Sequence, residues 1–499
     1  MEFDFNFRSD SEGVRREERP FSVLLLSDFG ASARPLNERQ PVRVDVDNLN
    51  SLWDRFRPTI DVTLGDRSIS VAPGSLEDLH PDQLFRQLEP FGQLRAFRAA
   101  LRDPEHGSAM LEQLRHLEPD VLGDSGGPQD SAPPANDAPS THESEGDLLG
   151  RLLGRAPEPS AGSSKSVEGG LDALLRSAVA PHIVHTPDPR IDDAIAGVDA
   201  ALSDLMRALL HDPGFRALEA RWRSLYRLVQ EVELDEQVQL WVVSASRSEL
   251  LAGLPASFEQ LGACGLHDLL LRRFPELTEG IPPSVIAVDA VFSDHPDDLA
   301  LLATLGALAD AAGSSVLAAG SPQLLGAADV EALGDHRRWA DEGTLPQSWQ
   351  TLRAAPFAQR IGLVLPDVLA RLPYGQRTEP VAPFDFEEVQ SPAADTFLWA
   401  NAVTVVCEGL MRRFIDDRWS MNPGPAMEIE ALPAFSYRDA GETRLLPCTR
   451  QLMPESSIEV ALRRGLSPVA GFRNQDRALV PRLQSIAEPL APLRGPWSG

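Results

Sequence analysis

His182 and His185 carry the spacing of a paired metal ligand, but no carboxylate or thiol cluster accompanies them, and a zinc site needs three or four such donors. They read as solvent-exposed or turn residues. Ser321, in Gly320-Ser321-Pro322, offers a hydroxyl but lacks the nucleophile-elbow pattern that would expose and activate it. The adjacent acids Glu387 and Glu388 read as a solvated face. Cys264, Cys407 and Cys448 are too widely spaced for a zinc motif or a disulfide framework; they suit small core positions in a reducing compartment. No phosphate-cradling glycine loop and no dinucleotide fingerprint occurs. The chain therefore offers no catalytic constellation, no metal site and no cofactor site, and the reading is a non-enzyme. Trp222, Leu225, Tyr374 and Trp399 read as core or interface anchors rather than ligand platforms.

Composition narrows the partners. At 499 residues the chain has room for two or three domains, and 42% hydrophobic residues supply their cores. The formal charge is −28, from 46 basic and 74 acidic residues. Nucleic acid binding needs clustered Lys and Arg to displace counterions, so nucleic acid is excluded as a partner, and an anionic membrane surface with it. The N-terminus Met1-Glu2-Phe3-Asp4 is acidic where a signal peptide is basic. No run of about 18 apolar residues appears. A cytoplasmic protein without membrane insertion is expected.

The elements follow from periodicity. Phe3, Phe5 and Phe7 alternate with Asp4, Asn6 and Arg8, the period of a strand. Phe21 to Leu26 is an apolar strand closed by Ser27-Asp28-Phe29-Gly30, and Arg43 to Val46 is a second. Asp47-Asn48-Leu49-Asn50 can cap a helix that Pro58 stops. Ile60 to Leu64 and Ser68 to Val71 form a hairpin around Gly65-Asp66. Helices are expected over Leu76 to Leu88 and Phe91 to Arg102. From Leu122 to Val167, Gly, Ser, Pro, Asp and Ala dominate, a composition that buries too little apolar surface to order itself. Within it Leu148, Leu149, Leu152 and Leu153 share one face of a short helix. Further helices cover Ile191 to Leu210, Phe215 to Val232 and Pro296 to Ala312. Strands cover Gln237 to Ser244, Ser284 to Val291, Ser314 to Ala319 and Ile361 to Leu365. Strand, helix, strand in this order is the parallel crossover of an α/β fold. The predicted organisation is two α/β domains, 1–120 and 169–499, joined by a disordered linker, 121–168.

Two groups of residues resemble two different proteins. Pro20-Phe21, Ser27-Asp28-Phe29-Gly30, Arg43-Val44-Asp45, Asn48 and Leu79-His80-Pro81-Asp82 resemble the small sheath subunit of the type VI secretion system, over about residues 1–105. Leu209-Leu210-His211-Asp212-Pro213, Arg221-Trp222-Arg223-Ser224-Leu225, Ile361-Gly362-Leu363-Val364-Leu365-Pro366, Arg371-Leu372-Pro373-Tyr374-Gly375 and Phe384-Asp385-Phe386-Glu387-Glu388 resemble its large sheath subunit, over about 147–485. Relative to that family the stretch from Leu251 to Pro283 is shortened, and the chain stops before the family's terminal strands.

The resemblance implies a fused, C-terminally truncated sheath protomer of a contractile machine. Its implied partners are itself or other sheath subunits and the inner-tube protein, with an AAA+ recycling ATPase and a baseplate as further candidates. It also suggests roles for two segments. Phe3, Phe5 and Phe7 would be donated to a neighbour's sheet, against the alternative of an edge strand packed on its own domain. Leu148, Leu149, Leu152 and Leu153 would be the ATPase-docking helix, against a helix docked on its own chain or a plain linker. A non-polymerising accessory protein that binds or caps sheath components is the alternative to the sheath role.

Overall fold

The computed structural model describes residues 19–103 and 189–498, apart from positions 33, 66, 392, 440 and 441. Its centre is a seven-stranded sheet of β1 (Phe21–Ser27), β2 (Val42–Val44), β3 (Val238–Ser244), β4 (Val285–Phe292), β5 (Ser315–Gly320), β6 (Ile361–Leu365) and β7 (Ser467–Pro468). The spatial order is β7-β6-β5-β4-β1-β3-β2. All neighbours run parallel except β2, which pairs antiparallel with β3 at one edge. The α/β class expected from the sequence holds.

The sequence gives no hint of where β1 sits. It is a central strand, flanked by two strands that lie more than 200 residues downstream. Its partners run from Phe21↔Val238 to Ser27↔Ser244 on one side and from Val23↔Val285 to Leu26↔Val288 on the other. The uninterrupted apolar run Phe21-Ser22-Val23-Leu24-Leu25-Leu26 is what a parallel strand covered on both faces requires. Phe21, Val23 and Leu25 join one core; Leu24 and Leu26 join the other. Burying each such side chain contributes about 1.5–3 kcal/mol before chain entropy is subtracted.

Helices cover both faces. The first core takes α1 (Ser51–Phe56), α2 (Pro81–Gln87), α3 (Glu89–Arg102), α4 (Pro189–Leu210) and α5 (Pro213–Glu231). The second is built largely on α6 (Pro296–Ala312), whose Leu301, Leu302, Leu305 and Leu308 are fully buried. The ends of α6 follow from local chemistry. His295 Nδ1 accepts the Asp297 N–H, Pro296 opens the first turn, and Gly313 closes it at φ 70°. Returning to the first face, α7 (Val403–Asp417) packs beside α5. No helix among the described residues is long and apolar enough to cross a membrane.

Three local expectations change. The segment from Leu76 splits into a short 3-10 turn, Glu77–Leu79, and α2, because Pro81 cannot donate the hydrogen bond that would join them. The second strand ends at Val44 rather than Val46. There Asp45 Oδ1 accepts the N–H groups of Asp47 and Asn48, and Asn48 Oδ1 accepts that of Asp45, a reciprocal turn. Asn50 makes no side-chain cap on α1, since that turn already satisfies the chain there.

Candidate functional site

The candidate site is the joint between the N-terminal elements, residues 19–103, and the described residues from 189 onward. Helix α5 makes one half of it. Asp212 caps its start, its Oδ1 accepting from Gly214 N (2.9 Å) and Phe215 N (3.0 Å), with Pro213 in the first turn. Phe215, Leu218, Trp222, Leu225 and Val229 then recur at helical spacing and are all buried. Trp222 receives the N-terminal elements. Trp53 of α1 stacks on it with ring centroids 3.7 Å apart, and Phe29 meets it edge-on at 5.4 Å. The Trp53 indole N–H, which burial would otherwise orphan, donates to the Tyr226 hydroxyl at 3.0 Å.

One position on the same stripe is acidic. Glu219 is four residues after Phe215 and three before Trp222, and is completely buried. Its compensation comes from Arg371, which is also buried. The Arg371 guanidinium donates to Glu219 at 2.6 and 3.1 Å and to Glu388 at 2.7 and 3.0 Å, a fork on each side. Arg223 adds a second cation to Glu219 at 2.8 Å and donates to the Tyr374 hydroxyl at 2.8 Å. The Arg371 guanidinium also lies over the Tyr374 ring, 4.1 Å from its centroid. Burial pushes the Glu219 carboxyl up, but Arg371 and Arg223 overcome it and hold the group at about 2. Burial also pushes the Tyr374 phenol well up. His211, 4.0 Å from Glu388, is lowered by burial against the pull of that carboxylate.

The N-terminal elements reach this cluster through His80. Its ring meets Tyr374 edge-on at 4.9 Å, and its Nε2 is 3.4 Å from Glu379. Its Nδ1 accepts the Asp82 N–H at 3.1 Å, which caps α2. Asp82 in turn accepts from Ala382 N at 3.0 Å. Further along, Arg98 of α3 donates to Pro383 O at 2.7 Å and to Asp199 of α4 at 3.0 Å. Ser27, at the end of β1, donates to Asp289 of β4 at 2.8 Å. An open cleft of about 310 Å³ lies over the joint, lined by His80, Asp82, Arg86, Arg223, Tyr374 and Glu379. His80, Asp82, Arg223 and Tyr374 are occupied with one another or with the backbone. The arrangement fastens two regions together. Among the described residues, no group of three or more His, Cys, Asp or Glu is placed to hold a metal.

Comparison with known families divides the chain at the same joint. Residues 192–487, more than half of the chain, match the VipB tail sheath N-terminal domain. The chain belongs to the type VI secretion sheath family. Residues 4–126 separately match the VipA family of type VI secretion systems, so both sheath families occur in one polypeptide. The type VI secretion system sheath protein TssC1 of Pseudomonas aeruginosa is 29% identical over 312 residues, which cover 60% of this chain. The matched region spans 62% of the length of that curated relative. Trp53 and His80 thus lie in the VipA-like part, and Trp222 and Tyr374 in the VipB-like part.

The anchors named from sequence fall as follows. Trp222, Leu225 and Tyr374 are fully buried, Trp222 and Tyr374 against the N-terminal elements. Trp399 is half-buried, its indole donating to Ala394 O at 2.6 Å. Phe3, Phe5, Phe7, Leu148, Leu149, Leu152, Leu153, His182 and His185 lie outside the described residues. The reading of Glu387 and Glu388 as a solvated face is half corrected. Glu387 is exposed, but Glu388 is buried against Arg371. Alternation carries the signal even though no strand forms there: Glu388 shares the parity of Phe384 and Phe386, both buried. Glu219 carries the helical counterpart of that signal, an acid at a buried position of an apolar stripe, which demands a buried cation.

Proposed function

We propose that this protein is a structural sheath subunit of a type VI secretion system, with the small and large subunit parts supplied by one chain. It assembles with copies of itself or with other sheath subunits around an inner-tube protein. Contraction of that lattice drives the tube outward, a switch between two packings of the same subunits. The protein works in the cytoplasm, contacts a baseplate, and catalyses no reaction itself. A recycling AAA+ ATPase engages it after contraction.

The observation that carries this reading is the shared sheet. A VipA-like strand, β1, stands between two VipB-like strands and is buried on both faces. Two sheath parts that complete one sheet make a protomer, not a pair of unrelated domains on a string. Negative-stain electron microscopy of the purified chain, alone and with its cognate tube protein and any separate sheath subunits, tests it. Hollow cylinders or tube-coating helical arrays are expected. Monomers or small closed oligomers in every mixture would move the protein to the accessory reading, in which it binds or caps sheath components.

A further inference from the structure

We propose that His80 is a proton-operated latch at the joint. Neutral, it caps α2; protonated, it gives up that cap and becomes a charged bridge between Asp82 and Glu379, which stand on opposite sides of the joint. The inference is independent of the sheath reading and rests on the contacts of one imidazole.

Both ring nitrogens of His80 have a partner. Nδ1 accepts the Asp82 N–H at 3.1 Å and so satisfies one of the donors that the start of α2 leaves open. A nitrogen that accepts a hydrogen bond carries no proton, so the neutral ring holds its proton on Nε2, 3.4 Å from Glu379 Oε1. The Asp82 carboxylate offers Nδ1 a second partner. Its Oδ2 lies 3.9 Å away, while its Oδ1 accepts from Ala382 N at 3.0 Å. A proton added to Nδ1 cannot coexist with the Asp82 N–H aimed at the same atom. The cap breaks, and a rotation of the Asp82 side chain brings Oδ2 to the new Nδ1–H. The ring then donates to a carboxylate at each nitrogen.

The charged groups facing the ring come from three places. Glu77, Asp82 and Arg86 lie on its own segment, Arg223 on α5, and Tyr374 and Glu379 on the loop that follows Arg371. Arg223 is committed to Glu219 and the Tyr374 hydroxyl, and Arg371, on the other face of that joint, to Glu219 and Glu388. The His80 hydrogen bond holds the Glu379 carboxyl below its usual range, with Arg223 and Arg371 adding to the effect. Glu379 is therefore charged where imidazoles gain their proton. The His80 side chain is only 20% exposed, so solvent and salt screen its pairs incompletely. Acid thus moves a contact from within the N-terminal elements to across the joint.

The molecule contains its own comparison. His295-Pro296-Asp297 repeats the triplet His80-Pro81-Asp82 at the start of α6. There Nδ1 accepts the Asp297 N–H at 3.3 Å and lies 3.7 Å from Asp297 Oδ2. Loss of the cap on protonation belongs to both triplets; the bridge to Glu379 belongs to His80.

Hydrogen exchange of the full chain, followed by mass spectrometry from pH 8 to pH 5 and corrected for intrinsic rates, tests the latch. Peptic fragments covering 79–88 and 294–304 report the two first turns. In the parent, protection in the first turn of α2 should fall about fivefold toward pH 5, the factor that corresponds to a lost side-chain cap. His80→Asn, whose amide oxygen accepts the same N–H at every pH, should keep its protection there, while the first turn of α6 still loosens. Glu379→Gln should need a lower pH for the fall at α2 and leave α6 unchanged. Constant protection in the parent, an equal fall in His80→Asn, or a Glu379→Gln profile identical to the parent's would overturn the proposal. His80→Ser, an equally good cap, replaces the Asn variant if that one does not fold.

Discussion

Arg371 is the residue whose removal most directly tests the account of the joint. Arg371→Met keeps the apolar stem and deletes the guanidinium, which leaves Glu219 in the interior with Arg223 as its remaining cation and Glu388 with the Tyr374 N–H and the nearby His211. Removing one partner of a buried ion pair costs about 3–5 kcal/mol, because the remaining charge stays desolvated. The Glu219 carboxyl gives an independent magnitude. Its fall from an ordinary 4.5 to about 2, at about 1.36 kcal/mol per pH unit, is worth about 3 kcal/mol. The sign also follows. A carboxyl held low in the folded state contributes stability that is fully present above pH 4.5 and is lost as pH falls toward 2. In the variant, burial acts on Glu219 with most of its compensation gone, so that carboxyl moves up and folding takes up a proton there. The deficit of Arg371→Met against the parent is therefore largest at pH 7 and shrinks as pH is lowered toward 4. Urea unfolding followed by tryptophan fluorescence at pH 7, 5.5 and 4.5 measures it. A loss below about 1 kcal/mol at pH 7, the worth of an exposed pair, or a deficit that does not change with pH, would refute the reasoning.

Other outcomes follow from the same contacts. Trp53→Ala removes the ring stacked on Trp222 and leaves a cavity, costing about 3–5 kcal/mol; hydrogen exchange should rise in β1 and α1 together, and a change confined to α1 would deny that they share one core. Asp289 is a half-buried carboxyl whose partial desolvation pushes it up against the Ser27 hydrogen bond, so its charge penalises folding increasingly as pH rises above the ordinary aspartate value. Asp289→Asn, which can still accept from Ser27, should therefore stabilise the protein at pH 7 and lose that advantage at pH 4, read from melting temperatures at both. Burial pushes the thiols of Cys407 and Cys448 up to about 12 and about 11; both should ignore Ellman's reagent at pH 8 until urea unfolds the chain, and rapid labelling of the native protein would show the core to be open there.

Local structure was legible because it depends on neighbours. The helix Pro296–Ala312 is bounded by His295, Pro296 and Gly313, all within one turn of its ends, and sequence and structure agree on its limits. The strands Phe21–Ser27 and Ile361–Leu365 announce themselves as short apolar runs between turn residues. The joint was less legible. Trp222 and Tyr374 stood out as large aromatics in recognisable motifs, but nothing in their surroundings names Trp53 or His80 as what they touch. Glu388 reads as a surface acid beside Glu387 although it shares the parity of buried Phe384 and Phe386, and Glu219 sits on the apolar stripe of its helix.

The sequence by itself determined the α/β class, the two sheath-like parts and the order of elements, since periodicity, capping and turn chemistry act over a few residues. Only the tertiary structure decided that β1 enters a sheet between two strands more than 200 residues away. The same holds for the way Arg371 gathers two distant glutamates around itself. Strand order and buried charge pairing are long-range choices. They are set by which faces must leave water together, and an apolar run or a lone acid carries no label for its partner.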